Sequence, residues 1–143
     1  MQNRCIISHD LEEKLQKLVA FLLQEEGRPL ETEVSIVLVD NAYISKLNAS
    51  YRSRPEATDV LSFNLQGEMP GLEEEDRVLG DIFISAEKAA QQAQEAGKTL
   101  EEEIIFLAAH GALHLLGYEH DSDAAEEKMQ RKTEEALKYI NTL

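Results

Sequence analysis

The chain has 143 residues, one cysteine and a formal net charge of −14, from 28 acidic and 14 basic residues. A chain of this length buries enough surface to fold as one domain without disulfides, and the lone Cys5 excludes an internal disulfide. No apolar run approaches the roughly 20 residues of a membrane span. The first residues lack a signal-peptide pattern, so we expect a cytoplasmic protein without a membrane partner.

The N-terminal part of the chain predicts a strand followed by a helix. Residues 3–7, which include Cys5, Ile6 and Ile7, indicate a short edge strand. Ser8 or Asp10 can cap a helix that runs to about Glu26, because leucines recur there at helical spacing. Gly27 ends this helix.

The next segment predicts two strands separated by a short helix. The residues Glu33–Val39 are rich in β-branched side chains and indicate a strand. Asp40 or Asn41 caps the helix that follows, and Pro55 stops it. The stretch from Thr58 to Phe63 predicts the second strand.

The next segment predicts a loop followed by another strand. Glycine, proline and a run of acids in 66–77 predict a surface hairpin loop. The strand predicted at 78–85 is therefore expected to lie antiparallel to the preceding strand. A helix over 86–96 follows, and Thr99 with Glu102 forms a capping box for the next one.

The helix that begins after Thr99 is apolar on nearly all sides, which is typical of a central element. A last amphipathic helix follows residues 121–123 and runs to the end of the chain. The element order predicts an α+β fold in which residues 1–143 form a single domain. We expect a small mixed four-stranded sheet packed with about five helices.

One segment departs from the general acidity, which by itself argues against broad binding of nucleic acid. Residues 41–55 contain no acidic side chain but include Lys46, Arg52 and Arg54. A local cationic patch on an acidic body could hold a phosphate backbone. The alternative is an ordinary solvated face of a helix and loop.

Three of the four histidines, His110, His114 and His120, lie close together near the C-terminal end of the apolar helix. Two residues four apart on a helix share one face, with Cβ atoms about 5–6 Å apart. Gly117 can adopt a positive φ, end the helix and turn His120 back toward the pair. Three protein ligands and one position left for water describe a catalytic zinc site. The alternative is ordinary histidines on a half-buried helix.

The spacing of these histidines also matches that of the metzincin metalloproteases. Those enzymes carry a glutamate directly after the first histidine, and it serves as the general base. Here the position is Gly111, which cannot take a proton. Glu119 and Asp121 are nearby candidates for another base, so peptide hydrolysis is not excluded but lacks its usual base.

Phosphodiester cleavage suits the same histidines better. Zinc can lower the pKa of its bound water to about 7 and supply the attacking hydroxide. The charge that develops on phosphate also needs a cation, and arginine presents a fork matched to phosphate oxygens. Arg52 and Arg54 are the obvious sources, unless each forms only a surface ion pair. Imidazole ligands would also accept nickel, copper or iron.

Four blocks together resemble one family. They are the histidine motif, Leu47-Asn48-x-x-Tyr51-Arg52, Thr58-Asp59-Val60-Leu61-Ser62-Phe63 and Gly80-Asp81-Ile82-x-Ile84. In this order they are similar to the YbeY family, bacterial single-strand-specific metallo-endoribonucleases of ribosomal RNA maturation. The chain differs from the family pattern at Glu119, where aspartate is usual, and at Asn64, where proline is usual.

The resemblance implies a site and a role. It implies one Zn²⁺ held by His110, His114 and His120 together with a water, on the apolar helix and the turn after it. It implies an essential arginine at Arg52, so that Arg52 and His110 are the candidate catalytic residues. Arg52, Arg54 and Lys46 are the candidate substrate contacts.

The role implied is 3′-end maturation of small-subunit (16S) ribosomal RNA and ribosome quality control in the cytoplasm. The expected partners are single-stranded ribosomal RNA, the small ribosomal subunit and ribosomal proteins, and no DNA partner is expected. An alternative remains, a ribosome-assembly binding factor whose metal is structural and whose hydrolysis is weak. The acidity of the chain favours that alternative, because its partners could be basic ribosomal proteins. The open coordination position and the available arginine favour the nuclease.

Overall fold

The computed structural model describes residues 8–28, 32–52, 59–63, 78–118 and 122–142, and these form an α+β fold as predicted. Five helices and three strands lie in this part of the chain. In order they are α1 (His9–Glu25), β1 (Glu33–Val39), α2 (Asn41–Arg52), β2 (Val60–Phe63), β3 (Val78–Ser85), α3 (Ala86–Ala96), α4 (Leu100–Leu115) and α5 (Asp123–Asn141).

The three described strands form a mixed sheet in the order β1-β3-β2. Strand β3 runs parallel to β1 and antiparallel to β2, which confirms the predicted antiparallel pair. The described part of the sheet therefore has three strands. The predicted edge strand at 3–7 and the predicted hairpin loop at 66–77 lie outside the described residues.

Helix α4 is the central element, as its apolar sequence predicts. It packs against α1, α3, α5 and the strands β2 and β3. Ala108, Ala109 and Leu113 are completely buried, and burial of a side chain as large as Leu113 contributes about 1.5–3 kcal/mol. Although α4 is apolar, no helix in the described ranges is long and apolar enough to cross a membrane.

The helices cover both faces of the sheet. Ile82 and Ile84 of β3 belong to the main core with α1, α4 and α5. The intervening Phe83 packs instead in a second cluster with Leu61 of β2 and Ile44 of α2. Because successive strand residues point to opposite faces, α4 and α2 cover opposite faces of the sheet.

Hydroxyl and carboxylate caps fix the helix starts. The side chains of Ser8, Ser85, Thr99 and Ser122 each accept a hydrogen bond from a backbone N–H in the first turn of α1, α3, α4 and α5. Asp40 does the same for α2. The predicted capping box of Thr99 and Glu102 is complete, with both reciprocal hydrogen bonds formed. Each such cap contributes about 1 kcal/mol.

Candidate metal centre

Two imidazoles lie side by side on the last turns of α4. The ring centroids of His110 and His114 are 4.8 Å apart, and their planes are inclined by 80°. Both side chains are partly exposed, whereas Ala109 and Leu113 on the same turns are buried. The helix therefore presents both histidines on one face at the predicted spacing and uses its other faces for the core.

The chain turns directly after the second histidine, at Gly117. Helix α4 ends at Leu115, and Gly117 has a φ of 105°. The N–H of Gly117 donates to the carbonyl of His114, and the N–H of Tyr118 donates to the carbonyl of Leu113, each at 3.0 Å. This pair of hydrogen bonds is a Schellman motif. The prediction that Gly117 ends the helix is confirmed.

Glycine is required at this turn because of its backbone conformation and not because a side chain would lack space. A Cβ added at Gly117 would meet no atom within 4 Å. The positive φ is what disfavours every other residue, because a side chain there is strained against its own backbone.

The backbone after the turn orients His114. The Nδ1 atom of His114 lies 3.0 Å from the carbonyl oxygen of Tyr118. A carbonyl oxygen can only accept, so in the neutral imidazole Nδ1 carries the proton and Nε2 carries the lone pair. Histidines that bind metals usually donate their other N–H to a carbonyl or carboxylate in this way. His114 is therefore in the tautomer that a metal ligand needs.

Tyr118 is itself anchored to the rest of the fold. Its hydroxyl donates a hydrogen bond to the carboxylate of Glu26, just beyond the end of α1, at 2.8 Å. The ammonium of Lys128 on α5 lies 5.5 Å from the centroid of its ring. Burial, and then the hydrogen bond and charge of Glu26, raise the pKa of Tyr118 to about 12. The sequence did not indicate these roles of Tyr118 and Glu26. A backbone carbonyl is common to all residues, and a single glutamate forms no recognisable motif.

The glycine that replaces the metzincin glutamate faces the sheet. A Cβ at Gly111 would lie 2.8 Å from Cγ2 of Ile82 and 3.0 Å from Oγ of Ser62. The Ser62 hydroxyl also donates a hydrogen bond to the Gly111 carbonyl at 3.1 Å. A glutamate at this position would collide with the sheet, so no base can come from here. The other candidate bases, Glu119 and Asp121, lie outside the described residues.

The remaining predicted site residues are only partly described. His120 and Arg54 lie outside the described residues, and Arg52 is the last residue of α2 with its side chain outside the description. Lys46 is exposed on α2, which covers the face of the sheet opposite α4. The positions of Arg52, Arg54 and His120 relative to the histidine pair therefore stay predictions.

The two described histidines have the donor chemistry that zinc accepts. Imidazole nitrogen binds zinc at about 2.0–2.1 Å, and adjacent rings on one helical face can reach one ion. No group of three histidine, cysteine or acidic side chains suited to a metal occurs among the residues that the structure describes. The described part of the chain therefore supplies two of the three predicted ligands.

Comparison with known proteins gives matches along nearly the whole chain. The family described as Endoribonuclease YbeY matches residues 1–141. A protein of that name from Alkaliphilus oremlandii is 46% identical over 142 residues, covering 99% of this chain and 94% of the relative. Another from Pelotomaculum thermopropionicum is 43% identical over 142 residues, covering 99% and 93%. The solution structure of TM1509 from Thermotoga maritima superposes with a TM-score of 0.60 at 30% identity, covering 92% of this chain and 79% of that one.

Proposed function

This chain belongs to the endoribonuclease YbeY family, and on that premise we propose that it is a zinc-dependent endoribonuclease that cleaves single-stranded RNA. The whole chain, residues 1–143, acts as one domain. Its biological role is 3′-end maturation of 16S ribosomal RNA and quality control of the small ribosomal subunit in the cytoplasm. The observation that supports the chemistry most is the paired His110 and His114, with His114 held by the Tyr118 carbonyl in the tautomer of a metal ligand.

The ligands that we assign to zinc are His110, His114 and His120. Zinc bound there supplies a Lewis acid and lowers the pKa of a coordinated water to about 7. His110 and His114 lie on the partly exposed side of a helix that is otherwise buried. The rigid packing of α4 keeps their positions fixed, and a fixed position is what a catalytic ligand requires.

Arg52 is the residue that we assign to the phosphate. A guanidinium presents parallel donors that match two phosphate oxygens and remains charged at every physiological pH. Arg52 would stabilise the negative charge that grows on the phosphate as the phosphodiester bond breaks. Arg54 and the exposed Lys46 would contact the RNA backbone on either side.

Peptide hydrolysis is disfavoured by packing as well as by sequence. The metzincin base would have to occupy position 111, where even a Cβ lies 2.8 Å from Ile82. Zinc held by His110, His114 and His120 would itself supply the activated water, so a phosphodiesterase would need no glutamate at this position.

A second candidate function is a ribosome-assembly binding factor with a structural metal. The net charge of −14 supports it, because an acidic surface attracts basic ribosomal proteins. The two candidates differ in one measurable property, which is whether the metal-loaded protein turns over RNA.

The test uses zinc-loaded wild-type protein and two arginine variants. Arg52→Ala removes the proposed phosphate contact, and Arg131→Ala removes an exposed arginine from α5 as the matched control. We expect Arg52→Ala to keep its zinc and lose about 10²- to 10³-fold in cleavage of single-stranded RNA, the effect of removing one group that stabilises the transition state. Arg131→Ala should cleave like the wild type.

Two outcomes would contradict the assignment. If Arg52→Ala retains zinc and cleaves at the wild-type rate, the role given to Arg52 is wrong. If zinc-loaded wild-type protein binds small ribosomal subunits but does not turn over RNA, the binding factor is the correct function.

A further inference from the structure

A cavity of about 270 Å³ opens between α4 and α5 beside the histidine pair. Phe106 and His110 of α4 form one wall, and side chains of α5 form the other. Because His110 is also a proposed zinc ligand, whatever occupies this cavity lies next to the metal centre. The functions assigned so far do not use the cavity.

The interior of the cavity suits a flat aromatic group. The rings of Phe106 and His110 lie nearly parallel, at 28°, with centroids 6.4 Å apart. Buried Met129 and half-buried Leu137 line the α5 side. Ligand cavities usually measure about 300–1,000 Å³, so this one has room for a single base rather than for several nucleotides.

The rim of the cavity carries hydrogen-bond acceptors. Glu126, Gln130 and Glu134 are exposed side chains of α5 that line it at intervals of four residues. The Gln130 amide nitrogen lies 3.4 Å from the Glu134 carboxylate and donates to it. Ionised carboxylates only accept hydrogen bonds, and they repel phosphate. This rim therefore favours the donor edge of a base over the RNA backbone.

The geometry points to this cavity as a nucleobase subsite that takes an unpaired guanine adjacent to the cleaved phosphodiester. The base would lie against Phe106 and Met129 and offer its donor edge to Glu126 or Glu134. Guanine has two neighbouring N–H donors on its Watson–Crick edge, which match the two oxygens of one carboxylate. That edge is occupied in a duplex, so the subsite accepts only unpaired RNA. The inference rests on the proposed ribonuclease function and names the base that the same site selects.

The test measures binding rather than cleavage. The probes are short fluorescein-labelled oligouridylates with phosphorothioate linkages, which resist cleavage, with and without one central guanosine. Fluorescence anisotropy gives the Kd of each probe for the zinc-loaded protein. The double variant Glu126→Gln/Glu134→Gln alters the rim. The double variant Glu127→Gln/Glu135→Gln is the control, since it removes the same charge at the same spacing from exposed positions of α5 that do not line the cavity.

We expect wild-type protein to bind the guanosine probe about tenfold more tightly than the probe without guanosine. A good bidentate contact discriminates between bases by about this factor. The rim variant should lose that preference. The control variant should keep it and bind both probes slightly more tightly, because repulsion of the RNA falls. Equal affinities in the wild type, or a preference that survives in the rim variant, would overturn the subsite.

A parallel cleavage assay separates this inference from the proposed function. If the protein prefers guanosine but never cleaves, the ribonuclease function fails and the base site stands. If it cleaves normally with no preference for guanosine, only the base site fails.

Discussion

The Tyr118 hydroxyl and the Glu26 carboxylate are joined by a hydrogen bond of 2.8 Å. This contact ties the residue after the α4 turn to the C-terminal end of α1. The same Tyr118 accepts the Nδ1 proton of His114 through its carbonyl. A contact far from the histidines in sequence therefore helps to hold one of them in place.

Replacing Tyr118 with phenylalanine should lower the stability of the protein. The change removes the hydrogen bond to Glu26 but keeps the backbone carbonyl that orients His114. We expect the free energy of unfolding, measured by urea denaturation, to fall by about 1 kcal/mol with little loss of zinc. Tyr139→Phe, at a tyrosine that is 38% exposed, is the control and should change stability much less. Equal losses in both variants would show that the Glu26 contact is not what stabilises Tyr118.

The Tyr118 hydroxyl should ionise at a higher pH than an ordinary tyrosine does. The pKa of Tyr118 is raised to about 12, chiefly by burial and then by Glu26, from an ordinary value of 10.0. A raised pKa means that the folded protein holds this proton more tightly than the unfolded chain does. The stabilisation is thus complete below pH 10 and is lost as pH approaches 12. Ultraviolet absorbance of the phenolate should show a tyrosine titrating near pH 12. That step should vanish in Tyr118→Phe; its persistence there would refute the assignment.

Alanine at Gly117 should affect both stability and metal binding. The positive φ of 105° makes any side chain costly, by about 1–2 kcal/mol. The strain also disturbs the His114–Tyr118 contact, and loss of such an outer contact weakens metal binding by about 10- to 100-fold. Urea denaturation and competitive zinc titration measure the two effects.

Gly97 provides the matched control for this change. It ends α3 at a φ of 69°, also with no atom within 4 Å of an added Cβ. Gly97→Ala should lose similar stability and bind zinc normally. If Gly117→Ala binds zinc as tightly as the wild type, the turn at Gly117 does not support zinc binding.

Alanine at Gly111 should destabilise the protein, unlike most glycine-to-alanine changes inside helices. Alanine is normally favoured there by about 1 kcal/mol. Here its Cβ would press on Ile82, which is completely buried and cannot move away. Overpacking costs about 1–3 kcal/mol, so we expect a net loss of stability on urea denaturation. Gly111→Glu should be worse and should gain no peptidase activity. If Gly111→Ala is more stable than the wild type, contact between the added Cβ and Ile82 does not destabilise the fold.

Local sequence patterns were sufficient to predict much of the framework. The β-branched run Glu33–Val39 and the run Val78–Ser85 form strands with the predicted bounds. The Thr99–Glu102 capping box and the end of α4 at Gly117 also followed from neighbouring residues alone. These features depend on backbone preferences and hydrogen bonds within a few residues, and such preferences are encoded locally.

The tertiary relationships could not be predicted in the same way. The central position of β3 and the placement of α2 and α4 on opposite faces depend on how whole elements pack. The loss of a base at Gly111 was visible in the sequence, but its contact with Ile82 was not. The carbonyl of Tyr118 orients His114 through the backbone, which every residue shares.

Substitution of single histidines tests the ligand assignment. His114→Ala should lose zinc and cleavage together. His9→Ala is the matched control, because His9 is the exposed first residue of α1, outside the proposed ligand set. It should keep both properties.

The most direct test of the central claim is the rate of single-stranded RNA cleavage by wild-type protein stripped of metal and then titrated with zinc. We predict that stripped protein is inactive and that cleavage rises until one zinc ion is bound per chain. Stripped protein that cleaves as fast as the zinc-loaded form would contradict the claim that this is a metal-dependent ribonuclease.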